Sequence, residues 1–69
     1  MVSIVAVRTV TKNGAPRELG VGPGVVAGEA VTRWYVFDRD PAAAAWSAVC
    51  GPFPTRGDAE EWILGIPSA

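Results

Sequence analysis

The sequence carries one complete set of helix signals, and they lie near its C-terminal end. Thr55 is a favourable N-cap, and Asp58 follows three residues later as the second member of a pair that resembles a capping box. Gly65 and Pro67 then end the helix. These signals predict a helix over residues 55–64. One helix of this length covers only one face of a sheet, so it limits the folds open to the chain.

Three other segments are typical of strands. Residues 2–11 are dominated by β-branched side chains and predict a first strand, which the Asn13-Gly14 pair closes in a tight turn. Residues 30–37 are aromatic and β-branched throughout and predict a second strand. Residues 46–50 predict a third, which the Gly-Pro pair at 51 and 52 breaks.

The interval between the first two strands, residues 13–28, is rich in glycine and proline. This composition forbids a helix and weakens a long strand, so we expect an ordered loop or an irregular edge strand that lies across the sheet, with a flexible arm as the alternative. The resulting prediction is one α+β domain over residues 1–69. Its small, three-stranded, mainly antiparallel sheet is packed by one C-terminal helix, in the order β-β-β-α.

Both faces of the predicted hairpin between residues 30–37 and 46–50 are apolar. If Phe37 faces Trp46, one face carries Phe37, Trp46 and Cys50. The other face then carries Trp34, Val36 and Val49. The helix, with Trp62 on its buried stripe, covers one face; the Gly-rich segment, a second copy or another protein must cover the other. Four residues are the interface candidates of this hairpin: Trp34, Trp46, Val36 and Val49.

The residue types needed for catalysis are scarce. The chain has no histidine, which removes the commonest general base, metal ligand and pH switch. Cys50 is expected to be an inert residue on a buried strand, and Asp38 and Asp40 to form a turn. Glycines at 20, 22 and 24 are interpreted as part of a structural loop, because no phosphate-binding ending follows them. We therefore expect no catalytic residues, no cofactor and no metal site.

The formal net charge of −1 supplies no field that would draw the protein onto nucleic acid or a membrane. Nucleic acid is a less favoured partner, and its candidate contacts are Arg8, Lys12, Arg33 and Arg39. A lone cysteine excludes an intramolecular disulfide and favours a reducing cytoplasm. Neither a signal peptide nor a membrane span is recognisable, so no membrane partner is expected.

Two families resemble the C-terminal half. Trp46 to Trp62 includes Gly51-Pro52-Phe53 followed by Thr55-Arg56, and it is similar to the final strand-to-helix segment of sporulation-related repeat (SPOR) domains, which bind septal peptidoglycan. Residues 34–63 resemble the strand-strand-helix part of arm-type DNA-binding domains of phage tyrosine recombinases. The use of Ala, Gly and Arg looks like that of small phage or actinobacterial proteins.

Taken together, the residues predict a non-catalytic protein–protein interaction module, such as a phage or bacterial regulator or inhibitor, that acts through an apolar sheet face. The partner is another protein or a second copy, and we expect a homodimer. Two alternatives stay open: a nucleic-acid-binding domain with a weakly basic sheet, and a binder of peptidoglycan or a small ligand.

Overall fold

The computed structural model of the protein describes residues 4–25, 28 and 31–67, so residues 2, 3, 26, 27, 29 and 30 of the predicted segments lie outside the described residues. Four strands and one helix follow one another along the chain: β1 (Val5–Lys12), β2 (Ala15–Val25), β3 (Thr32–Arg39), β4 (Ser47–Phe53) and α1 (Arg56–Leu64). The strands form one antiparallel sheet in the order β1-β2-β3-β4. The α+β class with one helix is confirmed, but the sheet has four strands instead of three.

The extra strand is β2, and it occupies most of the interval that the sequence predicts as a loop at 13–28. Its pairs with β1 begin directly after the Asn13-Gly14 turn, where both residues have positive φ angles of 53° and 79°. Its apolar residues Leu19 and Val21 alternate with glycines and are buried beneath α1. The loop predicted over residues 13–28 is therefore wrong, and β2 is an inner strand of the sheet, not the irregular edge strand of the alternative prediction. Packing against neighbouring side chains offsets the poor strand propensity of glycine.

Strand β4 differs from its prediction in length and register. It continues through Gly51 and Pro52, which are joined by a cis peptide bond, to Phe53. Phe37 pairs with Ala48 instead of Trp46, and register shifts along the β3–β4 ladder bring Cys50 opposite Val36. Cys50 therefore packs against the helix-side core and not beside Phe37 as predicted.

Helix α1 starts as the sequence predicts and packs its apolar stripe onto the sheet. The Thr55 hydroxyl accepts a hydrogen bond from the Asp58 backbone N–H at 3.2 Å, which confirms the N-cap. Ala59 and Ile63 are fully buried, and they belong to one cluster with buried side chains of β1, β2 and β3. Trp62, expected in this stripe, is 41% exposed, because it lies about 100° around the helix from Ile63.

Candidate interaction surfaces

The face of the sheet opposite α1, called here the helix-free face, is built from alternate residues of β2 and β3. Three cross-strand pairs place a glycine of β2 directly opposite a larger residue of β3: Gly20 with Phe37, Gly22 with Tyr35, and Gly24 with Arg33. Within the described part of the chain, no further helix or strand packs over this face. Exposed antiparallel sheets usually carry polar residues at such positions, whereas here glycines and aromatic rings fill them.

The glycines make room for the aromatic rings. A Cβ atom added at Gly22 would lie 3.0 Å from the Phe37 ring, and one added at Gly24 would lie 2.8 Å from the Tyr35 ring. Each ring thus leans diagonally across the space that a side chain on β2 would fill. At Gly20 the added atom would lie 3.2 Å from the Trp46 ring and 2.7 Å from the backbone oxygen of Val5. The three rings are half-buried on this face as a result.

The charges at the end of the helix-free face neutralise one another. Arg39 contacts the Glu18 carboxylate across the β2–β3 ladder, with Nη2 and Oε1 2.6 Å apart. The same guanidinium lies over the Trp46 ring, 4.3 Å from the ring centroid. The Arg39 charge is therefore shared between a carboxylate and an aromatic ring.

The predicted interface residues do not form one surface. Val36 is fully buried on the helix side of the sheet, and Trp34 packs against the same core with the Arg56 guanidinium 6.0 Å from its ring centroid. Trp46 lies on the helix-free face, and Val49 lies on the helix side and is 49% exposed. The opposite facing of Trp34 and Trp46 agrees with the sequence expectation. Whether any of the four contacts a partner stays a prediction.

The four basic residues predicted as nucleic-acid contacts also lie apart. Arg8 turns to the C-terminal end of α1, where its Nη1 donates to the carbonyl oxygens of Ile63 at 3.1 Å and Ile66 at 2.7 Å. Lys12 lies at the exposed hairpin end of β1. Only Arg33 and Arg39 share a face with the rings of Tyr35 and Phe37. These positions do not join into one basic surface.

A second apolar surface, called here the helix-side groove, lies beside α1. It encloses about 360 Å³. The buried side chains of Val10 and Leu19 line it together with Val49, Trp62 and Ile66. Its polar lining comes from Thr11, Lys12, Arg17 and Asp38, and Pro67 completes it.

The groove exists because the helix is much shorter than the sheet. Nine residues give α1 a length of about 14 Å, whereas the eleven residues of β2 extend over about 36 Å. The hairpin end of the helix-side face therefore extends beyond α1. Sequence reasoning missed this groove, although the helix and strand lengths were a signal that could have found it.

Among the described residues, no group of three or more His, Cys, Asp or Glu side chains is placed to hold a metal ion. Nor does the described part of the chain contain a helix with the length and hydrophobicity needed to cross a bilayer. Comparisons of the chain with protein-family models, curated proteins and solved structures found no match.

Proposed function

We propose that this protein is a non-catalytic protein-interaction module, and that it forms a homodimer through its helix-free face. One observation supports this proposal above all others. The outward positions of β2 and β3 carry Gly20, Gly22, Tyr35 and Phe37 in place of the polar residues of a solvated sheet. Burial of such a face against another apolar surface removes it from water, which is the main driving force of association.

The dimensions of the domain suit this mode of association. The molecule measures 40 × 24 × 15 Å along its principal axes, so it is thin in one direction. A stable interface needs about 800 Å² from each partner, and a broad face of this size is large enough to provide it. Two sheets packed face to face about 10 Å apart would place the helices on the two outer sides of a sandwich.

The charge distribution favours a second copy over a strongly charged partner. Glu18 and Arg39 pair within one copy, so apposing two such faces does not oppose two uncompensated charges at this end. A charged partner would have to compete with this internal pair and with the contact between Arg39 and Trp46. In this proposal the protein acts as a small regulator or inhibitor of phage or bacterial origin. Its single cysteine suits a reducing cytoplasm.

Light scattering after size exclusion at micromolar concentration tests the dimer. The wild type is expected at twice the 7.2 kDa of the chain. Ala48 is exposed on the helix-free face beside Phe37, so Ala48→Glu is expected to give a folded monomer. Val49→Glu is the matched control, because it puts the same charge on the next residue but on the helix side. A wild-type monomer, or equal loss of the dimer in both variants, contradicts the proposal.

A second candidate function is the binding of single-stranded nucleic acid on the same face. The alternation of Arg33, Tyr35, Phe37 and Arg39 along β3 places two guanidinium groups beside two rings, an arrangement on which bases can stack. Fluorescence anisotropy with a labelled 15-mer of deoxythymidine at low and high salt tests it. Binding that weakens steeply with salt and is lost in Tyr35→Ala supports this function, and an unchanged anisotropy at low salt eliminates it.

A further inference from the structure

The helix-side groove lies on the other side of the sheet from the helix-free face, so it stays accessible in the proposed dimer. Two large apolar side chains on its walls face solvent: Trp62 is 41% exposed and Val49 is 49% exposed. The side chains at the floor of the groove are shielded from solvent, because Val10 and Leu19 are each 5% exposed. An exposed tryptophan beside a buried aliphatic floor is the arrangement typical of binding hot spots.

The shape of the groove favours a peptide segment over an enclosed small molecule. Its volume of about 360 Å³ is at the lower end of ligand sites, which usually bury most of a bound molecule. The exposure of both walls shows that the groove is open along one side. A peptide can insert one or two large apolar side chains there while the rest of its backbone continues over the surface.

The charge of the groove specifies the partner further. Arg17 is held by Asp38, with Nη2 and Oδ2 3.1 Å apart, so these two lining charges neutralise one another. Lys12 makes no ion pair or side-chain hydrogen bond with any other residue that the structure describes. Among the described lining residues, the groove therefore combines an apolar surface with one positive charge that no other lining charge neutralises. It suits a ligand with the complementary carboxylate.

We propose that the helix-side groove binds a peptide segment of another protein in which a large apolar residue lies a few positions from an aspartate or glutamate. The apolar side chain packs between Trp62 and Val49 above Leu19. The carboxylate contacts the Lys12 ammonium group. This site is separate from the dimer interface, so a result that contradicts the homodimer does not contradict peptide binding in the groove.

Selection from a phage-displayed library of random 12-residue peptides, with the full chain immobilised, tests the site. The enriched sequences are expected to share a large apolar residue followed or preceded within about four positions by Asp or Glu. The best one, synthesised with a fluorescent label, then serves as the probe in anisotropy titrations. Trp62→Ala is expected to weaken binding at least tenfold, and Lys12→Gln roughly threefold with a smaller salt dependence.

Two matched variants separate the groove from general effects of substitution. Leu64→Ala removes an apolar side chain that is 65% exposed on the same helix but does not line the groove, so its affinity is expected to equal that of the wild type. Ala48→Glu, on the opposite face, is also expected to bind the probe. Far-UV circular dichroism reports whether each variant is folded, and Val49→Glu replaces Trp62→Ala if the latter is unfolded.

The outcomes decide the proposal in either direction. Chemical-shift changes on the ¹⁵N-labelled wild type that centre on Val10, Leu19 and Ile66 support it, as does weaker binding in both Trp62→Ala and Lys12→Gln with unchanged binding in Leu64→Ala. Failure to enrich any sequence, enrichment without acidic residues, or shifts centred on Tyr35 and Phe37 overturns it. Binding of dodecanoate in place of every peptide also overturns it, because the groove would then be a lipid-type ligand site.

Discussion

The two faces of β2 bury apolar surface in opposite ways. On the helix side, Leu19 and Val21 provide branched side chains that lie beneath α1. On the helix-free side, Gly20 and Gly22 provide no side chain, and they are buried because the Ile4 side chain and aromatic rings from other segments lie against their backbone. On the helix side, the side chains of β2 itself make the packing contacts. On the helix-free side, the missing side chains of β2 make room for side chains of other segments. Strand alternation thus encodes two kinds of packing in one segment.

The largest expected effect is on the helix side. Ile63→Ala removes a fully buried side chain between α1 and the sheet, so it is expected to lower the free energy of unfolding by about 2–5 kcal/mol. Urea denaturation followed by tryptophan fluorescence, at one fixed protein concentration, measures it. Leu64→Ala on the exposed side of the same helix should change stability by less than about 0.5 kcal/mol. Equal losses in the two variants would show that α1 does not pack as described.

Substitution of the glycines on the helix-free face by alanine is expected to have the next largest effect on the free energy of unfolding. A methyl group at Gly20 would lie 2.7 Å from the backbone oxygen of Val5, so Gly20→Ala must displace β1 and is expected to lower stability by about 1–3 kcal/mol. At Gly22 the nearest atoms are side-chain carbons of Ile4 and Phe37, which can move. Gly22→Ala should therefore be milder. The reverse order in thermal unfolding would refute the assignment of the two positions.

A smaller effect is expected at the contact that ties β1 to the end of the helix. Arg8 donates hydrogen bonds to carbonyl oxygens at the C-terminal end of α1, where a positive charge is also favourable. Arg8→Met keeps most of the apolar contact but removes the donors, and it is expected to lower stability by about 1–2 kcal/mol.

The matched control for that contact is Arg56→Gln, which removes an exposed ion pair with Glu60 within the helix. Its effect on the unfolding midpoint should be a few tenths of a kcal/mol, since exposed pairs contribute little. If Arg56→Gln were as destabilising as Arg8→Met, the Arg8 contact would have no special role in holding the helix end.

Local signals in the sequence predicted the elements that depend on local chemistry. The N-cap at Thr55, the turn at Asn13-Gly14 and the aromatic strand around Tyr35 were predicted because each depends on residues adjacent in the chain. Strand β2 was predicted only as an irregular edge strand, the alternative to a loop, since glycine and proline disfavour strands when judged alone. The alternation of apolar residues with glycine through Gly20 and Gly22 was the signal, and it becomes favourable only beside the rings of other segments.

The candidate surfaces were less predictable, because they depend on how distant segments meet. The register shifts near Val49 moved Cys50 to the helix side, which no local pattern indicates. The orientation of α1 buries the Ile63 side chain against the sheet and leaves Trp62, which was expected in the buried stripe, 41% exposed. Trp34 and Trp46 were predicted on opposite faces, and the structure places Trp46 on the helix-free face and Trp34 against the helix-side core.

An isotope-filtered NOE experiment on a mixture of ¹³C,¹⁵N-labelled and unlabelled chains tests whether two copies meet through the helix-free face. Such an experiment detects only contacts between two copies. If the dimer forms through this face, intermolecular NOEs are expected from the ring protons of Tyr35, Phe37 and Trp46 to the methyl group of Ala48. An absence of intermolecular NOEs at millimolar concentration, or NOEs that come from Trp62 and the helix instead, would contradict this dimer.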